Sequence, residues 1–445
     1  YCIGVTFLFL FSGKIYGWTW NDSTLFTPQQ LREDADFFFE TLQQKHPDVY
    51  YYCGMEEFER KKHQVYEKLD VSMTGIRFLE LMNTMNSCLD NHTRLLSIIA
   101  YYGDKFVEAI AGNNELVFVP EDIRDGKLYY TISGKKVSVV SINGINVQLI
   151  LSVLNEWEWI QPLKRKSYNM WRYFTICLHS YFDVHSPFEI EYEENRQSFQ
   201  VEIEGVSIMD EINRGKKSTE YYDQHSSVYY QVYPQSSMAI LYLHSFLMEE
   251  LNKSEFTRKM EELSNQLRQH RIQHLFVDVS KNSGGHFEEV CRFFDYLSHD
   301  TIYLNYSKIE RESPSVTKYI PYSKTLVRLP EKNNLLFSGD LFVLQSMTTA
   351  SAADDFCRIV AQNSLGVLIG QDTGTHTRGF SSIWSFELPH TKLPFQVASA
   401  FWDFSRDFNT ETLTPDMYWD TNFREEFSEE ELQSIVKQWE EQKKN

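Results

Sequence analysis

From about residue 227 the sequence alternates between two kinds of segment. Runs that are apolar almost throughout, "MAILYLHSF", "HLFVDVS", "LFVLQS" and "GVLIG", are separated by stretches whose apolar residues recur three and four apart. Phe256, Met260, Leu263 and Leu267 mark one helical stripe, Phe287 to Leu297 a second, and Ala352 to Ala361 a third. A strand that is apolar on both sides must be covered on both faces. A helix between two such strands supplies the cover and also the crossover that parallel pairing requires. The pattern therefore predicts an α/β domain around a parallel-rich sheet, with ligands at the carboxyl ends of its strands. "SEEELQSIVKQWEEQ" closes the chain, with Ser428 and Glu431 spaced as a capping box.

A chain of 445 residues exceeds the roughly 250 to 300 that one core supports, so further domains are expected. From Thr27 to about Leu89 the sequence reads as helices. Thr27-Pro28 is a cap followed by a first-turn proline, Leu31, Ala35, Phe38 and Leu42 follow at helical spacing, and Pro47 ends the segment. A second stripe holds Phe78, Met82, Met85 and Leu89, and it runs into "LDNHTRL", which puts His92 just past a helix end. Between about 101 and 206 the period changes to two, in "KLYYTI", "KVSVVSINGINV" and "FEIEYEE", with Asn143-Gly144 as a tight-turn signal. The expected division is a helical region over 23–100, a β-rich module over 101–210 and the α/β core over 211–445.

The apolar run from Cys2 to Phe11 is too short for a bilayer, which needs about 20 residues, and suits the core of a signal peptide over 1–22. This reading places the mature protein outside the cytoplasm, with no integral membrane span. A formal charge of -19, spread along the chain, excludes nucleic acid as a partner. Cysteines at 2, 53, 88, 177, 291 and 357 show no metal-ligand spacing and read as buried thiols. The 13 histidines include no HExxH pair and no phosphate-binding loop occurs, so neither metal nor cofactor is expected.

Three loops leave the carboxyl ends of predicted strands: "DVSKNSGG", "TTASAADDF" and "GQDTGTHTRG". Gly284 and Gly285 allow backbone amides to approach a ligand without an intervening Cβ. Ser351 places a hydroxyl at a helix N-terminus, where the dipole and the free amides favour developing negative charge. His376 adds an imidazole. A nucleophile, an oxyanion hole and a base are the parts that acyl transfer needs. Taken alone, Ser351 reads as a helix cap.

"LFVDVSKNSGG", "FVLQSMTTASAADDF", "GVLIGQDTGTHTRG" and "LTPDMYW" together resemble, in order and spacing, the core of the C-terminal processing peptidases, the serine-peptidase family that includes the tail-specific proteases and the tricorn core. "LDNHTRL" and "VSVVSINGINV" are similar to that family's N-terminal region and PDZ-like module. The resemblance implies a crotonase-like α/β core, a helical N-terminal region and a β-rich PDZ-like module. It also implies hydrolysis of protein or peptide substrates through an acyl-enzyme on Ser351, with the Ala352 amide and a Gly284 or Gly285 amide as oxyanion donors. For the base, the family's tail-specific branch places a lysine where this chain has His376, and its tricorn-like branch places a histidine that falls on His92. His92 is the favoured base and His376 the alternative. Asp90 and Asp416 are candidates to orient an imidazole. The chain departs from the family at Ser280-Lys281, beside the glycine loop, and the β-rich module lacks a clear carboxylate-binding loop. A binding protein without catalysis, for peptides or apolar small molecules on the same scaffold, is the alternative function.

Overall fold

The computed structural model describes residues 24–444, apart from 96–97, 114, 158–169, 172, 195, 208–227, 248–252, 297–300, 314, 329–336, 420 and 422–425. The expected signal segment, 1–22, lies outside the described residues. The chain divides into two compact units: Tyr1–Lys217 with Ile309–Tyr319 and Phe380–Phe401, and Ser218–Lys308 with Ile320–Gly379 and Trp402–Asn445.

The first unit opens with α1 (Pro28–Lys45). Its start follows the sequence signal: the Thr27 hydroxyl accepts from the Gln30 amide, the Gln30 side chain accepts from the Thr27 amide, and Pro28 occupies the first turn. Leu31, Ala35, Phe38 and Leu42 are fully buried along one face. Helices α2 (Gly54–Glu67) and α3 (Gly75–Asn83) follow, and a 3-10 turn over Thr84–Cys88 carries the Phe78, Met82, Met85 stripe towards Leu89.

Helix α4 (Ile98–Asn113) corrects the sequence reading, which began the strand-rich region at about 101. Ile98, Tyr101, Tyr102 and Phe106 are buried at helical spacing. The tyrosine pair favours strands intrinsically, and packing of one helical face overrides that preference.

An antiparallel sheet follows, made from β1 (Asp122–Arg124), β2 (Lys127–Ile132), β3 (Lys135–Ile142), β4 (Phe188–Glu194) and β5 (Gln197–Ile203) in the order β5-β4-β3-β2-β1. Asn143 and Gly144 take φ of 47° and 76°, the left-handed pair that a two-residue hairpin turn requires. Helix α5 (Val147–Trp157) comes next in the chain. A single apolar cluster joins Phe38, Phe78 and Met82 from the helices to Leu128, Ile142, Ile150 and Ile190, so helices and sheet bury their apolar faces in one core.

Cys53 and Cys88 form a disulfide with Cα atoms 5.0 Å apart, where free thiols were expected; Cys177 and Cys357 are buried thiols. The spacing carried no sign of the pairing, because the cysteines stand 35 residues apart and meet only when α2 packs beside the 3-10 turn.

In the second unit the predicted alternation is realised. Strands β6 (Val228–Tyr233), β7 (Met238–Leu243), β8 (His274–Asp278), β9 (Asp340–Gln345), β10 (Val367–Gly370) and β11 (Met417–Tyr418) lie in that spatial order, parallel except for the β6 to β7 pair. The intervening helices are α6 (Lys253–Gln269), α7 (Phe287–Phe293) and α8 (Ala352–Gln362). Side chains alternate between two apolar layers. Leu241, Val277 and Val343 pack with α6, α7 and α8, while Tyr242, Phe276 and Phe342 pack against the terminal helix α9 (Glu429–Lys444). Ser428 and Glu431 form the expected capping box. No helix among the described residues is long and apolar enough to cross a membrane.

Replacing both Cys53 and Cys88 by alanine is expected to lower unfolding stability by about 4 kcal/mol, from the chain entropy released in a loop of this size. Urea denaturation of the parent and the double variant measures it.

Candidate active site

The loops after β8, β9 and β10 meet around Ser351. That residue precedes α8 with φ 53° and ψ -127°, and its hydroxyl makes no capping hydrogen bond. The cap reading is thereby removed. A β-region backbone would have suited a cap, whereas this residue sits in a sparsely populated conformation costing on the order of 1 to 3 kcal/mol, the kind of strand-to-helix turn that presents a nucleophile. Ser351 stays partly exposed.

The glycine loop presses against it. A Cβ on Gly284 would stand 2.7 Å from Ser351 Cβ and 3.1 Å from the Ala352 amide nitrogen, and one on Gly285 would stand 2.2 Å from the Phe246 carbonyl carbon. Neither position accepts a side chain, and both have positive φ, 112° and 141°. Asn282, fully buried, ties the loop: its Nδ2 donates to the Leu243 carbonyl (2.9 Å), its Oδ1 accepts from the Gly284 amide (2.9 Å), and its carbonyl accepts from the Ala350 amide (3.2 Å). The Gly284 amide is thus committed to Asn282 and is not an open donor. The bridge between Phe246 and Gly285 uses the Gly284 carbonyl and the His286 amide, which leaves the Gly285 N–H on the other side of the backbone. Gly285 and the first-turn amide of Ala352 are the remaining oxyanion candidates.

The third loop is fastened to the same turn. The Ser351 amide donates to Thr375 Oγ1 (2.9 Å), and the Gly374 amide donates to the Thr349 carbonyl (2.8 Å). His376, next in sequence, has its Nδ1 3.7 Å from a Glu411 carboxylate oxygen, while its Nε2 is buried without a hydrogen-bond partner among the described residues. Burial holds the His376 imidazole below its ordinary pKa against the pull of Glu411. His244, just beyond β7, is pushed down to about 3 by burial, with Lys281 adding to the effect, so it stays neutral and makes a poor proton acceptor.

Helix α8 carries its own charge cluster. Arg358 is fully buried, pairs with Asp354, lies 4.0 Å from the Phe404 ring centroid and donates to the His376 carbonyl (3.0 Å). Burial pushes the Asp355 carboxyl up to about 7, against the opposing pull of Arg358 and with Asp354 adding to the rise. Asp416 does not orient an imidazole: its Oδ2 accepts from the Leu368 amide (2.8 Å) and clasps β10.

In the first unit, His92 lies partly exposed on the turn after the 3-10 segment. Asp90 fixes that turn by accepting from the His92 amide on Oδ1 (2.7 Å), but its Oδ2 meets Nε2 of a different histidine, His46, at 2.9 Å. Burial alone would raise the Asp90 carboxyl; the hydrogen bond and charge of His46, with His92 nearby, hold it below the usual range. Asn282, Thr375 and His46 were not singled out from sequence. An Asn two residues before a glycine pair is a turn signal that could have found the first; nothing local marks the other two.

Residues 237–419 match the model for Peptidase family S41, which supports a serine-peptidase core in that stretch of the chain. Among solved structures it is similar to mature CPAF, at 12% identity and a TM-score of 0.54 over 88% of this chain and 92% of that one. It is likewise similar to mature CPAF complexed with lactacystin, at 11% identity, a TM-score of 0.52 and coverage of 88% and 94%. The photosystem II D1 C-terminal processing protease matches at 12% identity and a TM-score of 0.45, over 89% and 95%. At such identities the likeness to CPAF is one of fold. No curated protein matches the chain in sequence.

Two outcomes follow from this geometry. Gly284→Ala is expected to displace Ser351 and to slow the labelling of its hydroxyl by a fluorophosphonate about a hundredfold, since an error near 1 Å at a reacting atom costs that much; the labelling rate, beside a circular dichroism spectrum, reads it. Asp355, whose folded-state pKa is raised, contributes stability that is complete below its unfolded pKa of about 3.9 and is lost as pH rises through about 7. Asp355→Asn should therefore gain stability over the parent between pH 4 and pH 8, on the order of 2 kcal/mol; an equal difference at both ends would refute the assignment.

Proposed function

We propose that the protein is an endopeptidase in which the Ser351 hydroxyl attacks a peptide carbonyl. The observation that carries this reading is an uncapped, partly exposed serine, strained at a helix N-terminus and pressed against a glycine loop that admits no side chain. An imidazole takes the serine proton, the Gly285 and Ala352 amides hold the oxyanion, the same imidazole protonates the leaving amine, and water releases the acyl group. His92 is the base on the strength of its Asp-x-His-Thr context. His376 remains the alternative, although its burial works against protonation in the transition state.

The Cys53 to Cys88 disulfide supports an oxidising, extracytoplasmic compartment for the mature chain. The antiparallel sheet of the first unit supports a PDZ-like role, in which an extended substrate adds a strand along an open edge.

Ser351→Ala is expected to abolish fluorophosphonate labelling and peptide cleavage while leaving the fold intact; an alanine variant that still labels would refute the nucleophile. His92→Ala should lower kcat/KM by about 10² to 10⁴, and His376→Ala by far less. The reverse ranking would transfer the base to His376, and an acidic limb below the ordinary imidazole range would accompany it.

A further inference from the structure

The first unit gathers a carboxylate and two imidazoles. Donor atoms of Glu115, His179 and His185 all lie within 4.8 Å of one another. Glu115 immediately precedes the short strand Leu116–Val117, His179 lies in a π-helical turn over Cys177–Tyr181, and His185 follows in a loop where Asp183 takes φ 56°. π-turns and left-handed residues are costly local irregularities that often accompany a site. Here they turn two histidines towards one glutamate.

The nitrogens divide into inner and outer sets. His179 Nε2 stands 3.2 Å from Glu115 Oε2, and His185 Nδ1 contacts Glu115 Oε1. On the outer side, His179 Nδ1 is 3.1 Å from Ser180 Oγ, and His185 Nε2 is 2.9 Å from Asp183 Oδ1. The rings are 4.7 Å apart at an interplanar angle of 81°. The His179 side chain is only 7% exposed, and despite its closeness to Glu115 its Nε2 makes no aligned hydrogen bond. Glu115 meets this nitrogen off the line of its lone pair, and a cation placed among the three side chains would lie along it.

We propose that Glu115, His179 and His185 form a Zn²⁺ site with its fourth position open to water. Donors held at about 2.0 to 2.1 Å in a tetrahedron stand about 3.3 Å apart, the separation found between His179 Nε2 and Glu115 Oε2. Two imidazoles and a carboxylate suit zinc, whereas Mg²⁺ and Ca²⁺ take oxygen ligands. Asp183 accepts from the outer nitrogen of His185 and so favours the tautomer whose inner nitrogen can ligate, while Ser180 holds the orientation of the His179 ring. The three donors come from separate segments, so no local spacing in the sequence could announce them. The ion would fasten the chain leaving α4 to the π-turn and to the loop beyond it.

The test uses the full chain, stripped with a chelator and titrated with Zn²⁺ against a fluorescent competitor, with Co²⁺ absorption as a readout of tetrahedral nitrogen and oxygen ligation. One equivalent should bind with submicromolar affinity and raise the melting temperature. His185→Ala and Glu115→Gln, both at positions reached by solvent, should weaken binding at least a hundredfold and remove the thermal shift with circular dichroism unchanged. Asp183→Asn should weaken it about tenfold. Absence of a stoichiometric equivalent, or equal Zn²⁺ affinity in the parent and the His185→Ala and Glu115→Gln variants, would overturn the site.

Discussion

The serine site depends on one close approach, the backbone of Gly284 against Ser351. Nothing larger than hydrogen fits there, since a Cβ would fall 2.7 Å from Ser351 Cβ and 2.8 Å from the Ala350 carbonyl oxygen. The approach is maintained by buried Asn282, whose side-chain amide bonds the end of β7 and its own loop while its backbone carbonyl accepts from the turn before α8. A buried amide with its donors and acceptor engaged rigidifies its surroundings, whereas the same group unpaired would be a liability. The parallel sheet brings three strand ends to one rim, and Asn282 converts that coarse convergence into contact between atoms.

The strain at Ser351 is sustained by over-determination. Its amide is held by Thr375, its carbonyl accepts from the Asp354 and Asp355 amides, and Ala350 before it is bonded to Asn282. A backbone fixed on both sides can remain at positive φ with a hydroxyl that makes no cap. The charge at the start of α8 follows a related logic. Acidic side chains in a first helical turn are favoured by the helix dipole, and Asp354 is further compensated by the buried Arg358, which spans from α8 to the His376 carbonyl and so couples the helix to the third loop. Among the described residues Asp355 has no ion pair comparable to that of Asp354, and burial pushes its carboxyl towards neutrality.

The legibility of the chain follows the range of the interactions involved. The β and α periods of the second unit, the Thr27 cap, the Ser428 and Glu431 box and the Asn143-Gly144 turn each depend on residues a few positions apart, and the structure has them where the pattern placed them. Helix α4 was missed because two tyrosines in a row resemble a strand until their burial on one helical face is known. At the site, Ser351 and the glycine pair were visible as residue types in strand-end loops. The commitment of the Gly284 amide to Asn282 was not, because it depends on an Asx turn whose presence follows from the fold. Asp90 illustrates the same limit: its neighbour in sequence, His92, gave it a provisional role, yet its carboxylate pairs with His46, 44 residues away.

Buried polar pairs of that long-range kind are frequent in the first unit. Asp34 accepts from the His390 and Thr391 amides and from the Thr391 hydroxyl, Asp90 meets His46, and Glu115 meets His179 and His185. Apolar contact alone specifies volume and tolerates sliding, while a withdrawn carboxylate accepts only the partner that satisfies it. Asp34 and Asp90 have their accessible oxygens satisfied by protein donors. Glu115 differs, because one of the two imidazoles facing it is close without being bonded. Glu115, His179 and His185 instead assemble a donor set that a single borderline-soft cation completes.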